Sequence, residues 1–278
     1  MELLQRIASG LVAQTARIIG FLTFNPGYNT MRIQLEVDYV NHYSFLPVYG
    51  LDARLMAVEI VNRFHNESNN LSMPQEFLSG TLSQRQRKAL LKEQLTILKS
   101  KSSWFIDNNI NALLKIDYSL AEIFVEDDVL NEDFQSLPFL HLEMNETVSD
   151  ISRGGDFSYL YKLGHDFPLW LDNFGSGKMN LKPFYDGIIH GVKMDVRFVG
   201  KLLARPTSVS IINPMLRVMR RHCPDLKVVA KGIDDKSFLE KAFEIEVNAV
   251  QGNLWPAFSQ ETLDLPLPIS RHKQGVSC

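Results

Sequence analysis

The stretch KVVAKGIDDKSFLEKAFEIEVNAVQGN, Lys227–Asn253, carries the pattern on which the fold turns. A short apolar run, KVVAKG, ends on Lys231 and Gly232. An amphipathic segment follows from Asp235 to Phe243, and a second apolar run, NAVQG, ends on Gln251. Runs this short and this continuous suit strands buried on both faces, the environment of a parallel sheet covered by helices. The stretch is therefore a strand–helix–strand unit.

The same unit repeats toward the N-terminus. GVKMD, PLWLDN, PFLHLEM, ALLKID, RLMAVEIV and SFLPVYG are further apolar runs, with amphipathic stretches at Ser83–Leu98, Asp156–Leu163 and Ser208–Arg221. At least seven such units lie between residues 31 and 265, which predicts an α/β fold of the (β/α)8 barrel type over that range. A doubly wound sheet is the alternative. HNESNN, His65–Asn70, is a polar loop, and residues 266–278 read as a frayed tail.

Residues 1–30 read as an N-terminal extension. Leu4, Ile7, Leu11 and Ile18 have near-helical spacing, which suits a surface-seeking helix, and Met31 would serve as an alternative start. No apolar run approaches the roughly 20 residues of a membrane span.

Bulk properties narrow the function. The chain has 278 residues, 45% hydrophobic and 22% charged, as an ordinary globular protein has. A net charge of −3 excludes the broad basic surface that non-specific nucleic-acid binding requires. The two cysteines, Cys223 and Cys278, offer neither a disulfide framework nor metal spacing, so a reducing cytoplasm is expected. The histidines make no ligand pair, no Gly-x-Ser-x-Gly elbow occurs, and QRQRK, Gln84–Lys88, reads as a solvated helix face. Trp170 and Trp255 sit in strand-like runs and are expected in the core.

Each apolar run ends on polar residues that a buried strand would avoid: Glu59, Lys115, Glu143, Asp172 with Asn173, Lys193 with Asp195, Lys231 and Gln251. In a β/α barrel the carboxyl ends of the strands converge on one mouth, where active sites are built. Such a succession of strand ends predicts a ring of polar groups around one cavity.

These residues carry a resemblance. AVEIVNRF, LEMNE, LDNFGSG, VKMD, VAKGID and VQGNLWPAF resemble, in order and spacing, the motifs of the EAL family, bacterial phosphodiesterases that hydrolyse cyclic di-GMP. The resemblance covers residues 31 to 265 and implies a modified TIM barrel. It also implies a site in which Mg²⁺ or Mn²⁺, held by carboxylate and amide oxygens, lowers the pKa of the attacking water. Glu59, Glu143, Asp172, Lys193, Asp195 and Gln251 match the family's positions, and Arg63 matches its phosphate-binding arginine.

Three positions depart. Lys115 stands for an Asn ligand, Asn173 for the second Asp, and Lys231 for a later Glu. A charged ammonium has no lone pair to give a metal. At ~4 Å and an effective dielectric of ~20 it repels a dication by about 8 kcal/mol. The expectation is a vestigial, catalytically inactive site with no metal and no cofactor, its lysines paired with Glu59, Glu143 and Asp172.

MRIQLEVDYVNHYSFLPVYG, LKEQLTILKS and QGNLWPAF further resemble degenerate EAL-like anti-activators of enteric bacteria. That likeness implies a partner, the FlhD subunit of the flagellar master regulator FlhDC, with no direct contact to nucleic acid or membrane. The alternative is a cyclic di-GMP sensor using Arg63, Phe174, Gly175 and Gly177; an active phosphodiesterase comes last.

Overall fold

The computed structural model describes residues 32–34, 38–66, 71–75, 81–145, 158–176, 182–205, 207 and 209–263. The proposed extension, the tail and Gly177 lie outside them. The chain divides into two compact units, one of residues 43–61 and 76–278, the other of residues 1–42 and 62–75.

The larger unit contains the barrel. Its strands belong to β2 (Asp38–Gly50), β3 (Leu55–Asn66), β5 (Asn111–Ile116), β6 (Leu140–Asn145), β7 (Leu169–Phe174), β8 (Ile189–Met194), β9 (Lys227–Lys231) and β10 (Ala249–Gln251). Hydrogen bonding runs β2-β10-β9-β8-β7-β6-β5-β3, and a β2–β3 pairing closes the circle. From β3 through β10 neighbouring strands are parallel. β2 runs antiparallel to β10. The fold is a TIM-like barrel with one strand reversed. A two-residue strand, β11 (Phe258–Ser259), adds to β2.

The smaller unit contains β1 (Arg32–Gln34), paired with the start of β2, and β4 (Leu71–Pro74), paired with the end of β3.

The helices are α1 (Gln84–Ser100), α2 (Ser102–Asp107), α3 (Tyr118–Glu126), α4 (Asp128–Gln135), α5 (Ser158–Asp166), α6 (Lys182–Tyr185), α7 (Val196–Leu203), α8 (Val209–His222) and α9 (Lys236–Ala242). Their starts follow side-chain capping chemistry. Ser83 and Gln86 form a reciprocal capping box on α1. Asp117, Asp127 and Asp235 each accept the backbone N–H three residues on, opening α3, α4 and α9. Among the described residues no helix is long and apolar enough to cross a membrane.

Strand alternation sorts the core into two parts. Outward-facing Leu114, Ile116, Leu142, Met144, Val192, Met194 and Val228 pack beneath the helices. Inward-facing Val48, Ala57, Leu113, Trp170, Val229 and Ala249 fill the barrel interior. Trp170 spans that interior because Gly191, opposite it on β8, has no side chain: a Cβ there would sit 2.4 Å from the indole. The indole N–H donates to His141 Nδ1 at 2.9 Å. Trp255 departs from expectation, lying half-buried in the turn after β10.

Candidate functional site

Two residues beyond each interior position the same alternation brings a polar side chain to the next layer. Ala57 leads to Glu59, Leu113 to Lys115, His141 to Glu143, Trp170 to Asp172, Gly191 to Lys193, Val229 to Lys231 and Ala249 to Gln251. This layer is the carboxyl-terminal mouth of the barrel.

The geometry is an alternating ion network. Lys193, 0% exposed, donates from Nζ to Glu59 Oε2 and to Glu143 Oε2, the latter at 2.9 Å. Gln251 Nε2 donates to Glu59 Oε2 at 2.9 Å. Lys115 Nζ lies 3.2 Å from Asp172 Oδ2 and 3.8 Å from Glu59 Oε1. Lys231 donates to Asp172 Oδ1 and, at 2.7 Å, to Asn173 Oδ1. Three ammonium groups thus face three carboxylates.

A β-bulge explains why one lysine grips two successive residues. Leu171 pairs with Val192 and Phe174 with Met194, so Asp172 and Asn173 together oppose Lys193 alone. Asn173 takes the left-handed conformation, φ 59°, which Asn and Asp tolerate better than other non-glycine residues. Gly175 follows at φ 92°, and a Cβ there would meet the Phe198 ring at 2.6 Å.

Burial and charge compete at each group. Burial would raise Asp172, but Lys193, Lys231 and Lys115 outweigh it and hold the carboxyl well below its usual range. Burial likewise opposes the charge on Glu59, where Lys193 and Lys115 prevail and the pKa falls. Glu143 goes the other way: burial and the charge of Glu59 push it up to about 7. The difference is one of partners. Glu59 is served by Lys193, Gln251 and Lys115, whereas Glu143 Oε1 is buried with no hydrogen-bond partner. The proton this pair takes up therefore belongs on Glu143. Burial would lower Lys193, yet Glu143, Glu59 and Asp172 raise it.

Not every strand-end residue joins the network. Asp195 turns away to cap α7, accepting the Phe198 N–H at 2.9 Å. Lys193-Met-Asp195 and Lys115-Ile-Asp117 are the same device on two strands: lysine into the mouth, aspartate onto the next helix. Asp234, not singled out by sequence, accepts the Asn253 N–H at 2.8 Å beyond β9. Its place three residues after Lys231 in VAKGID was the available signal.

Of the alternative nucleotide-binding set, Arg63 is exposed on β3, in the smaller unit. Phe174 is fully buried, its ring edge-on to Phe184, and so serves the core rather than a binding surface. Gly175 is required by its backbone.

Divalent-metal chemistry would need converging oxygen donors with free lone pairs. Here Asp172 and Glu59 spend theirs on ammonium groups, and Lys115 and Lys231 contribute none. Among the described residues no group of three or more His, Cys, Asp or Glu side chains is placed to hold a metal. The donor set does not fit a divalent cation.

Comparisons with known proteins agree with this architecture. The anti-FlhC(2)FlhD(4) factor YdiV of Salmonella typhimurium (strain LT2) is 28% identical over 241 residues, 87% of this chain and 97% of that protein. The putative anti-FlhC(2)FlhD(4) factor YdiV of Escherichia coli (strain K12) is 29% identical over 230 residues, 82% of this chain and 95% of that protein. The crystal structure of the EAL-like domain protein YdiV superposes with a TM-score of 0.73 at 27% identity, over 80% of this chain and 94% of that one. The PaMucR phosphodiesterase in complex with c-di-GMP, at 18% identity and a TM-score of 0.63, covers 80% of this chain and 94% of that one and shares the fold. The EAL domain profile matches residues 41–257, most of the sequence. The chain belongs to the EAL domain family.

Proposed function

We propose that this protein is a non-hydrolytic EAL-like regulator that restrains the flagellar master regulator FlhDC by direct protein contact, through its FlhD subunit. The observation that carries the reading is the occupation of the barrel mouth by Lys115, Lys193 and Lys231 against Glu59, Glu143 and Asp172. An ammonium network in place of a dication keeps the barrel intact while removing the Lewis acid that phosphodiester hydrolysis requires. Relatives named as anti-FlhC(2)FlhD(4) factors, aligned over most of both chains, supply the partner.

The test has two arms. Purified protein incubated with cyclic di-GMP and Mg²⁺ or Mn²⁺ should yield no linear product. The same protein should co-elute with FlhD, and with the FlhDC complex, in size-exclusion chromatography and release that complex from promoter DNA. Hydrolysis at a rate comparable with an active EAL phosphodiesterase overturns the first claim. Failure to bind FlhDC at micromolar concentrations overturns the second, and failure to bind FlhD alone removes that subunit as the contact.

A further inference from the structure

The outer face of α8 is built unlike the rest of the surface. Ile212, Leu216 and Met219 are buried beneath it, so the opposite side of the helix faces solvent. On that side stand Ile211, 73% exposed, Pro214, Val218 and Arg221, spaced three and four residues apart and therefore neighbours on one stripe. A stripe of this composition has no role in holding the helix down.

Neighbouring elements bring exposed aromatic residues to α8. The Tyr185 ring of α6, itself exposed, meets His222 edge-on at 4.4 Å between centroids. At the other end Asn213 is tied to the turn after α9: its Nδ2 donates to Glu244 O at 3.1 Å and its Oδ1 accepts the Glu246 N–H at 2.9 Å. Phe243, adjoining Glu244, is 57% exposed. Single exposed apolar residues need no explanation, but a run of them along one helix and its two neighbours does.

The sequence from α7 through α8 is basic. From Val196 to Pro224 the sequence contains Arg197, Lys201, Arg205, Arg217, Arg220 and Arg221 and no Asp or Glu, although the whole chain is net −3. Two of these are committed internally. Arg217 donates to the Glu246 carboxylate at 2.8 and 3.0 Å, and Arg220 donates to Glu246 O at 2.7 Å and Asn248 Oδ1 at 3.1 Å. Arg221 is exposed on the stripe itself, and Arg197, Lys201 and Arg205 are exposed on α7 and just after it. Aromatic and aliphatic anchors interleaved with arginine are the composition of protein interfaces, whereas a phosphate backbone asks for cations without an exposed isoleucine and phenylalanine.

We infer that the α8 face, with Tyr185 and Phe243 at its ends, is the docking surface for a protein partner presenting an apolar seam flanked by carboxylates. This rests on the reading above, and the partner it commits to is the FlhDC complex. The barrel mouth has no part in the contact. Docking is driven by the apolar stripe, and the basic residues speed and orient the encounter.

The experiment measures affinity for FlhDC by biolayer interferometry, using wild type, Ile211→Glu, Val218→Glu, Arg221→Glu and, on the far helix α4, Val129→Glu as a control. Melting temperatures verify folding, and hydrogen exchange over residues 209–222 is followed with and without partner. Ile211→Glu and Val218→Glu should weaken binding about 30-fold, the scale of an interface anchor. Arg221→Glu should weaken it about 10-fold at low salt and less at high salt. Val129→Glu should bind as wild type does, and residues 209–222 should gain protection in the complex.

Wild-type binding with unchanged affinity in the α8 variants and no added protection overturns this inference and leaves the function intact. No wild-type binding overturns both. Should any variant misfold, the protection pattern of the wild type decides alone. Binding of promoter DNA without FlhDC, lost in the same variants, would replace the protein surface by a nucleic-acid one.

Discussion

Lys193→Met tests the ion network at its centre. Methionine matches the length and volume of the buried stem, so the change removes charge without opening a large cavity. It leaves the carboxylates of Glu59 and Glu143, formerly bridged through one ammonium, facing each other in a space that is closed to water. Breaking a buried pair from one side costs about 3–5 kcal/mol, and two carboxylates ~5 Å apart at an effective dielectric of ~20 repel by about 3 kcal/mol, the same scale. At roughly 2–4 °C per kcal/mol for a chain of this size, the melting temperature should fall by about 10 °C.

The sign of the pH dependence is specific. Without Lys193 the pKa of Glu143 rises further above its unfolded value, so the folded state is favoured when the group is protonated and loses that stabilisation as pH rises. The deficit should therefore be smaller at pH 5 than at pH 8, measured by thermal and urea unfolding against wild type. Adding Glu143→Gln to Lys193→Met should recover most of the loss at pH 8, as a coupled pair requires. An equal deficit at both pH values, or an unchanged melting temperature, would refute the network as the origin of the charge balance.

In the wild type, Glu143, raised to about 7 from an ordinary 4.5, stabilises most below its unfolded pKa and contributes progressively less as pH rises through about 7. The change is on the order of 3 kcal/mol. Glu143→Gln should flatten the stability profile between pH 6 and 8, and a slope unaltered by that change would assign the titration elsewhere. The folded triple variant Lys115→Asn, Asn173→Asp, Lys231→Glu should bind Mn²⁺ in isothermal calorimetry, since it removes two cations and adds oxygen donors at the mouth; absence of binding heat would show these side chains do not converge as described. Gly191→Ala drives a methyl into the Trp170 indole and should cost at least about 1–3 kcal/mol in chemical denaturation. A neutral result would mean that the indole does not span the barrel interior.

The eight barrel strands were legible as short apolar runs, seven of which carry a polar residue to the mouth; β2 is the exception, ending on Gly50. The helices α1, α5, α8 and α9 followed from amphipathic spacing within a few residues. α3 and α4 did not, because they abut: Asp127 ends one and caps the next, so the apolar period breaks in mid-segment with no loop to mark two helices. The lysine–carboxylate pairing was readable from charge and position. The β-bulge that turns both Asp172 and Asn173 toward Lys231 was not, since a bulge exists only in the register between two strands. Asp195 was misread for a related reason. A polar residue ending a strand can serve the barrel mouth or cap the following helix, and only the backbone direction at Phe198 distinguishes them.

The reversed strand has a consequence for how the molecule is made. β2 enters the barrel near the beginning of the fold, yet its neighbour β10 is synthesised about two hundred residues later, and the bond joining Gln251 to Glu59 spans 192 positions. Until β10 arrives, one edge of β2 presents unpaired amide and carbonyl groups, and Glu59 lacks the donor from Gln251. Contacts so distant along the chain are slow to form, because loop closure must precede any gain from pairing. Barrel closure and the last hydrogen bond to Glu59 are therefore a single late event. A nascent or truncated chain that stops short of Gln251 has its ion pairs in balance but carries an open sheet edge and a buried Glu59 short of one hydrogen-bond donor, two features that expose an unfinished molecule to chaperones and proteases.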